Sequence, residues 1–192
     1  MSGSVFDVQE KRKLWKENIT AELAEHLVFL DESGVNTNLT RRYGRAPSSQ
    51  RVVDHAPLNT PQTTTVLSSI RWNGEKVFTT YSGGTTRDRF LTYLEQTLLP
   101  TLHPGDILVM DNMRTHRMKA VGELLALHGI TPVYLPPYSP DLNPIEKMWA
   151  KMKAILRAWK IRSPDALPDA VSRALDLIVL QDCQHWFNTV FF

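Results

Sequence analysis

Two short apolar runs, each closed by an aspartate, constrain this chain more than any other feature. Leu27-Val-Phe-Leu30 runs into Asp31, and Ile107-Leu-Val-Met110 runs into Asp111. Runs this short and this apolar read as strands covered on both faces, with the acid where the strand leaves the sheet. If the two strands lie parallel and adjacent, their carboxyl ends meet where open α/β sheets place their sites.

The rest of the pattern supplies the partners for such a sheet. Residues 63 to 71 and 75 to 81 are rich in Thr, Val, Ile and aromatics, and Asn73-Gly74 between them predicts a hairpin. Residues 37 to 45 and 50 to 57 suggest a second strand and an extended loop. Thr85 and Thr86 can cap a helix from Arg87 to Leu99, stopped by Pro100. A helix from Arg117 to His128 ends at Gly129, and Thr131 to Leu135 forms another strand. A Pro-rich loop then leads to a helix that starts near Pro144 and carries Glu146. The flanking expectations are an amphipathic helix over residues 4 to 25 and a last helix from Ser163 to Leu180. The apolar segment from Trp186 to Phe192 is either folded onto the domain or held in a subunit interface. Hairpins mixed with crossover units describe an α/β domain, a mixed sheet flanked by helices.

Composition narrows the class. At 192 residues and 42% hydrophobic content the chain buries one good-sized core. No apolar run is long enough to cross a bilayer, and Met1 to Phe6 lacks the features of a secretory signal. The single cysteine, Cys183, has no disulfide or metal partner and fits a reducing cytoplasm. A net charge of +2 decides nothing, but Lys11, Arg12, Lys13 and Lys16, and the series Lys147, Lys151, Lys153, Arg157, Lys160 and Arg162, are clusters able to neutralise phosphates.

Asp31, Asp111 and Glu146 are the chemical core of this reading. Three converging carboxylates repel one another, and hard divalent cations, Mg²⁺ or Mn²⁺, relieve that repulsion. Two ions roughly 3.5–4 Å apart suit phosphodiester displacement. Asp31 would bridge them, with Asp111 completing one shell and Glu146 the other.

The sequence around each acid is more specific than the acids themselves. Phe29-Leu-Asp31-Glu-Ser33, Val109-Met-Asp111-Asn-Met-Arg-Thr-His116 and Leu135-Pro-Pro-Tyr-Ser-Pro-Asp-Leu-Asn-Pro-Ile-Glu146-Lys-Met-Trp149 follow in order, with 34 residues between Asp111 and Glu146. From about residue 25 to at least 160 the chain resembles the D-D-E catalytic domain of mariner-type transposases, in their bacterial insertion-sequence branch. That resemblance implies an RNase H-like fold over residues 25–192 and Mg²⁺-dependent cleavage and strand transfer at TA dinucleotides. It also implies double-stranded DNA as partner, as transposon ends and as target, with a homodimer acting on it in the bacterial cytoplasm, at the nucleoid. Family members carry helix-turn-helix domains that find the element's ends, so residues 1–24 are expected to be a helix or linker from such a region encoded elsewhere. Two other readings share some of these features: a non-catalytic DNA-binding or assembly module derived from a transposase, and a standalone RNase H-like nuclease.

Supporting roles follow. Asn112, His116 and Asp141 are candidates to support the ligands, and Asp141 is also the rival third ligand or a turn cap beside Asn143. Glu32 should point away from Asp31 by strand alternation and serve structure. Arg41, Arg42, Arg45, Lys147, Lys151 and Lys153 are candidates for the DNA backbone. Trp149 is expected to anchor the core together with Ile145, Met152 and Leu156.

Overall fold

The computed structural model describes residues 5–19, 21–40, 43–55, 62–113 and 116–191. Arg41 and Arg42 lie outside the described residues. A five-stranded mixed sheet organises the chain in the order β3-β2-β1-β4-β5, with β1 Leu27–Val35, β2 Thr64–Arg71, β3 Lys76–Ser82, β4 Ile107–Met110 and β5 Thr131–Tyr134. β1 pairs antiparallel with β2 and parallel with β4, which also runs parallel to β5. Leu30 is in register with Met110, so Asp31 and Asp111 follow the last pair of the parallel β1–β4 ladder at the same level. β1 does not end at Asp31 as expected: it runs on to Val35, held by its antiparallel pairing with β2. The fold is RNase H-like.

Alternation along β1 builds two cores. Leu27 and Phe29 face one side with Val66, Ile70 and Val109, beneath α4 (Ile145–Trp159), α5 (Leu167–Asp176) and α6 (Leu180–Phe191). Val28 and Leu30 face the other side with Leu67, Leu108 and Met110, beneath α2 (Arg87–Tyr93) and α3 (Lys119–Leu127). Each fully buried Leu or Phe is worth about 1.5–3 kcal/mol relative to exposure, so the two faces fix the register of β1 against a one-residue slip.

The hairpin forms at Asn73-Gly74 as expected. Gly74 takes φ +87°, and a β-carbon there would stand 3.2 Å from the Leu180 backbone. Thr86 caps α2 by accepting the Arg89 amide. The expected helix to Leu99 instead loosens into a π turn over Leu94–Leu98 and tightens into a 3₁₀ turn at Leu99–Thr101, where Pro100 offers no donor.

Three other expectations change. The N-terminal helix, α1, spans Val5–Asn18, and a separate 3₁₀ turn over Ala21–His26 leads into β1. No strand forms among the described residues of 37–45. There the Thr37 and Leu39 carbonyls accept from the Arg162 guanidinium instead of a strand partner. The expected helix from Ser163 to Leu180 divides into a 3₁₀ turn, α5 and then α6. The Asp182 carboxylate reaches back to the Val179 amide and caps the new start, as in a capping box. α6 also decides the fate of the apolar tail. Phe187 meets Phe29 edge-on at 5.4 Å, and Phe191 lies 5.6 Å from Phe29, so the tail is folded onto the domain.

Candidate active site

Where the parallel pairing of β1 with β4 ends, the chain forms a cleft of about 250 Å³ lined by Asp31, Asp111, Asn112, Asn143, Glu146 and the 135–140 loop. Three elements aim the acids into it. Asp31 continues the Phe29 face of β1, toward α4. Asp111 stands one residue past the end of β4, and Glu146 sits in the first turn of α4, exposed at the mouth.

Asp31 is the most confined of the three. Its Oδ1 accepts the Glu32 amide at 2.8 Å, and its Oδ2 accepts the Trp149 indole N–H at 3.2 Å. Burial, with the nearby charges of Glu146 and Asp111 adding to it, pushes its pKa up to about 7 against those two donors. Trp149 does anchor the core, and its indole also holds a candidate ligand. That second role has one sequence signal, the i, i+3 spacing from Glu146, which places both on one face of a helix.

Asp111 is held differently. Its Oδ1 accepts the Met113 amide at 3.1 Å and lies 2.6 Å from Nδ1 of His116, which is fully buried. Burial opposes its charge, but the ion pair with His116 outweighs burial and keeps Asp111 below the ordinary aspartate range. Nε2 of His116 faces Oε1 of Glu32 at 3.6 Å, a charge contact beyond hydrogen-bond reach. Burial disfavours the imidazolium, yet the two carboxylates raise His116 to about 9, so it is charged at neutral pH. The Phe90 ring packs over it at 4.5 Å. Glu32 accepts from the Thr85 hydroxyl, which is bonded to Tyr81. Glu32 does turn to the face opposite Asp31, as alternation requires, and from there it reaches the site through His116.

The remaining candidates divide. Asn112 is exposed and accepts from the Arg117 guanidinium at 3.1 Å. Asp141 makes no capping bond. It pairs with Arg12 of α1, which also donates to Ser139 Oγ at 2.8 Å. Lys153 is half-buried near Glu146 and Asp31, and burial lowers its pKa. Lys147 and Arg45 are exposed. Lys151 is engaged by Asp182 on α6, Lys160 by Asp54 and Arg162 by loop carbonyls. Much of the basic series on and after α4 therefore holds the chain together.

Among the described residues no three His, Cys, Asp or Glu side chains are gathered tightly enough to enclose an ion alone. That arrangement still fits Mg²⁺ or Mn²⁺. Mg²⁺ keeps several waters and takes one or two carboxylates together with substrate phosphate oxygens. The donor set here is all oxygen. The buried Oδ1 of Asn143 in the cleft wall has no hydrogen-bond partner, and Asp31 carries a charge that its neighbours oppose. A second cation site, built on His/Cys chemistry, is absent among the described residues.

The fold and this cleft define a class: RNase H-like domains with acidic residues at the carboxyl ends of two central parallel strands. Residues 26–168 match the DDE superfamily endonuclease family, and the chain belongs to it. No curated protein matches significantly in sequence. Among solved structures it is similar to the catalytic domain of Mos1 mariner transposase, at 12% identity and a TM-score of 0.67 over 99% of this chain and 91% of that one. The Mos1 catalytic domain with Raltegravir and Mg gives 15% identity and a TM-score of 0.70, over 99% and 92%. The Mos1 strand transfer complex gives 14% identity and a TM-score of 0.75, with 95% of this chain covered. The chain spans only 57–60% of the length of the Mos1 chains solved in such assemblies. Among the described residues no helix is long and apolar enough to cross a membrane.

Proposed function

We propose that this domain is the cutting and joining part of a DNA transposase of the bacterial insertion-sequence branch of the mariner group. It would cleave phosphodiester bonds at transposon ends and transfer the freed strand into target DNA. The observation that carries this reading is that Asp31, Asp111 and Glu146 line one cleft at the sheet's carboxyl edge. Mos1 has been solved as a paired-end complex with its left transposon end and with Mn or Mg, which supports the same substrate and metals here.

In this reading Asp31 with Asp111 would hold one divalent cation, and Asp31 with Glu146 the second. When bound, the ions supply Lewis-acid activation for in-line displacement at phosphorus. The chain's own residues do the rest. Trp149 and the Glu32 amide fix both oxygens of Asp31, so its carboxylate cannot rotate away. His116 and the Met113 amide fix one oxygen of Asp111 and leave the other free. Lys147, Lys153, Arg41, Arg42 and Arg45 are proposed to meet the DNA backbone, where such contacts set position and not sequence. The proposed target is TA, a step that unstacks and kinks easily. Residues 1–24 are proposed as a helix or linker ahead of the catalytic domain, and two copies of residues 25–192 are proposed to act together on DNA at the nucleoid.

Asp31→Ala, Asp111→Ala and Glu146→Ala each test this. Every variant should stay folded and lose Mn²⁺-dependent nicking and strand transfer by at least about 10³-fold, measured on plasmid DNA. Full activity in any of the three removes that residue from the site. Cleavage of RNA–DNA hybrids without strand transfer would instead favour a standalone nuclease.

A further inference from the structure

Tyr138 stands in the wall of the same cleft, yet its side chain is 92% exposed. Its backbone takes φ +56°, a left-handed conformation that a bulky aromatic residue seldom adopts. Nothing among the described residues covers the ring, so packing there does not account for the strain. The segment around it is stiff. Pro136, Pro137 and Pro140 restrict the backbone on both sides, and Leu135 and Leu142 are anchored in the core. Ser139 is buried, with its Oγ donating to the Pro137 carbonyl and accepting from Arg12. An aromatic ring is therefore held outward on a rigid loop, beside three carboxylates. Lys11 and Arg117 line the adjoining groove, which shares Asn112, Leu135, Pro136 and Pro137 with the cleft.

A strained, solvent-facing aromatic at a site is a reason to look for a ligand that covers it. On one side the ring faces a cleft whose chemistry is anionic oxygen, and on the other a groove with two cations, Lys11, which pairs with Asp7 at 2.8 Å, and Arg117, which donates to Asn112 at 3.1 Å. The surface that matches all three is a nucleobase unstacked from its duplex, still joined to its phosphates. We propose that Tyr138 is the stacking platform for one unpaired base next to the bond that is cut or joined. This rests on the function proposed above and names which part of the DNA the cleft takes. Stacking fits because every base has a π face, so the platform needs no sequence preference of its own. It also lowers the cost of opening the duplex at the point where the carboxylates must reach the backbone.

The test uses the full chain with Ca²⁺ in place of Mg²⁺, so that DNA binds without being cut. The probes are a 30-base-pair blunt duplex and the same duplex with a three-nucleotide unpaired flap carrying 2-aminopurine at the junction. Wild-type protein should quench the 2-aminopurine and prefer the flap. Tyr138→Phe should keep both properties. Tyr138→Asn, a residue that tolerates the left-handed backbone, should fold with equal or higher melting temperature. It should nevertheless lose the quench and about 5- to 100-fold of the preference for the flap, with blunt-duplex affinity unchanged. Equal quenching by Tyr138→Asn and wild type overturns the proposal while leaving the transposase reading in place. So does a Tyr138→Asn variant that binds as wild type but shifts the self-association equilibrium in sedimentation, because the ring would then belong to a protein interface. Wild-type protein that binds neither duplex overturns both.

Discussion

The two ends of the central parallel strands carry opposite electrostatic solutions. At the amino end, Asp106 and Arg71 are almost completely buried, and Arg71 grips both carboxylate oxygens. Arg71 also donates to the Thr101 carbonyl, and the His103 amide completes the shell of Asp106. Burial alone would raise Asp106, but Arg71 and that amide hold it below the ordinary range. At the carboxyl end, Asp31 has two neutral donors and two acidic neighbours, and it is pushed up to about 7. The same strands thus end in a satisfied charge pair and in a carboxylate short of positive charge. The first arrangement needs nothing more, whereas the second is completed by something that brings positive charge. Both ends also border a cleft, and the one beside Asp106 is the larger at about 350 Å³, so size does not mark the site. Unmet charge does.

Breaking the satisfied end should have the largest effect. Asp106→Ala leaves the buried Arg71 guanidinium with only the exposed Glu75 and the Thr101 carbonyl. It should cost about 3 kcal/mol of stability in urea unfolding, the low end for a broken buried pair. A loss under about 1 kcal/mol would show that the pair is solvated and that the contrast between the two ends is overstated.

The unsatisfied end predicts an inverted response to pH. Asp31 has its folded pKa raised from 3.8 to about 7, so the folded state binds the extra proton between those values. Stability of the metal-free protein should then fall as pH rises from about 4 to 7, by on the order of 3 kcal/mol. His116 works in the same direction at higher pH. Its folded pKa is raised to about 9, so its contribution is complete below its unfolded value of 6.5 and is lost as pH rises through 9. Asp106 and Asp111 are lowered and act oppositely, losing their contribution only as pH falls into the acid range. The metal-free chain should therefore be most stable near pH 4–5. Thermal melts from pH 4.5 to 9 in EDTA check this, and saturating Mg²⁺ or Asp31→Asn should flatten the limb below 7. A melting temperature that rises steadily from pH 5 to 8 in EDTA would contradict it.

How much of this was legible in the sequence follows from how local each cause is. The β4 strand before Asp111, the Asn73-Gly74 hairpin and the Glu146 helix rest on signals within a few residues and appear in the structure. β1, in contrast, passes through Asp31 to Val35 because β2, distant in sequence, keeps pairing with it. The division at 177–179 was hidden because apolar spacing continues through it. What starts a new helix there is a side-chain cap, Asp182 accepting the Val179 amide, and it outweighs periodicity. Residues 37–45 read as a possible second strand, but Arg162, more than 120 positions away, takes the Thr37 and Leu39 carbonyls. Charge runs misled most, since Lys151, Lys160 and Arg162 look like phosphate ligands until their partners are seen. The support of the site was least legible of all. Trp149 reaches Asp31 across 118 positions, and the only local hint of the bond is its i, i+3 spacing from Glu146. Nothing near Glu32 announces His116.

That last contact sharpens the comparison between the two ends. Asp106 is fixed by a cation directly, as a permanent pair. Asp111 is fixed by a cation that is itself balanced from the far face of the sheet by Glu32, with Thr85 and Tyr81 behind it. Arg71 grips both oxygens of Asp106 and spares only its Nε for the exposed Glu75, whereas His116 reaches one oxygen of Asp111 and leaves the other for another partner. Glu32→Gln keeps the shape and can still accept from Thr85, but it removes one of the two charges that hold His116. His116 should then sit more tightly on Asp111 or lose its proton, and either change misdirects the free oxygen. The expected outcome is a fall of about 10- to 100-fold in Mn²⁺ affinity or in kcat for nicking, with KM for DNA unchanged and stability altered by less than about 1 kcal/mol. Restoring the carboxylate one methylene shorter, as Glu32→Asp, should recover part of the activity. A loss of activity matched by an equal loss of stability would place Glu32 in the fold alone and make the two ends of the sheet more alike than their geometry indicates.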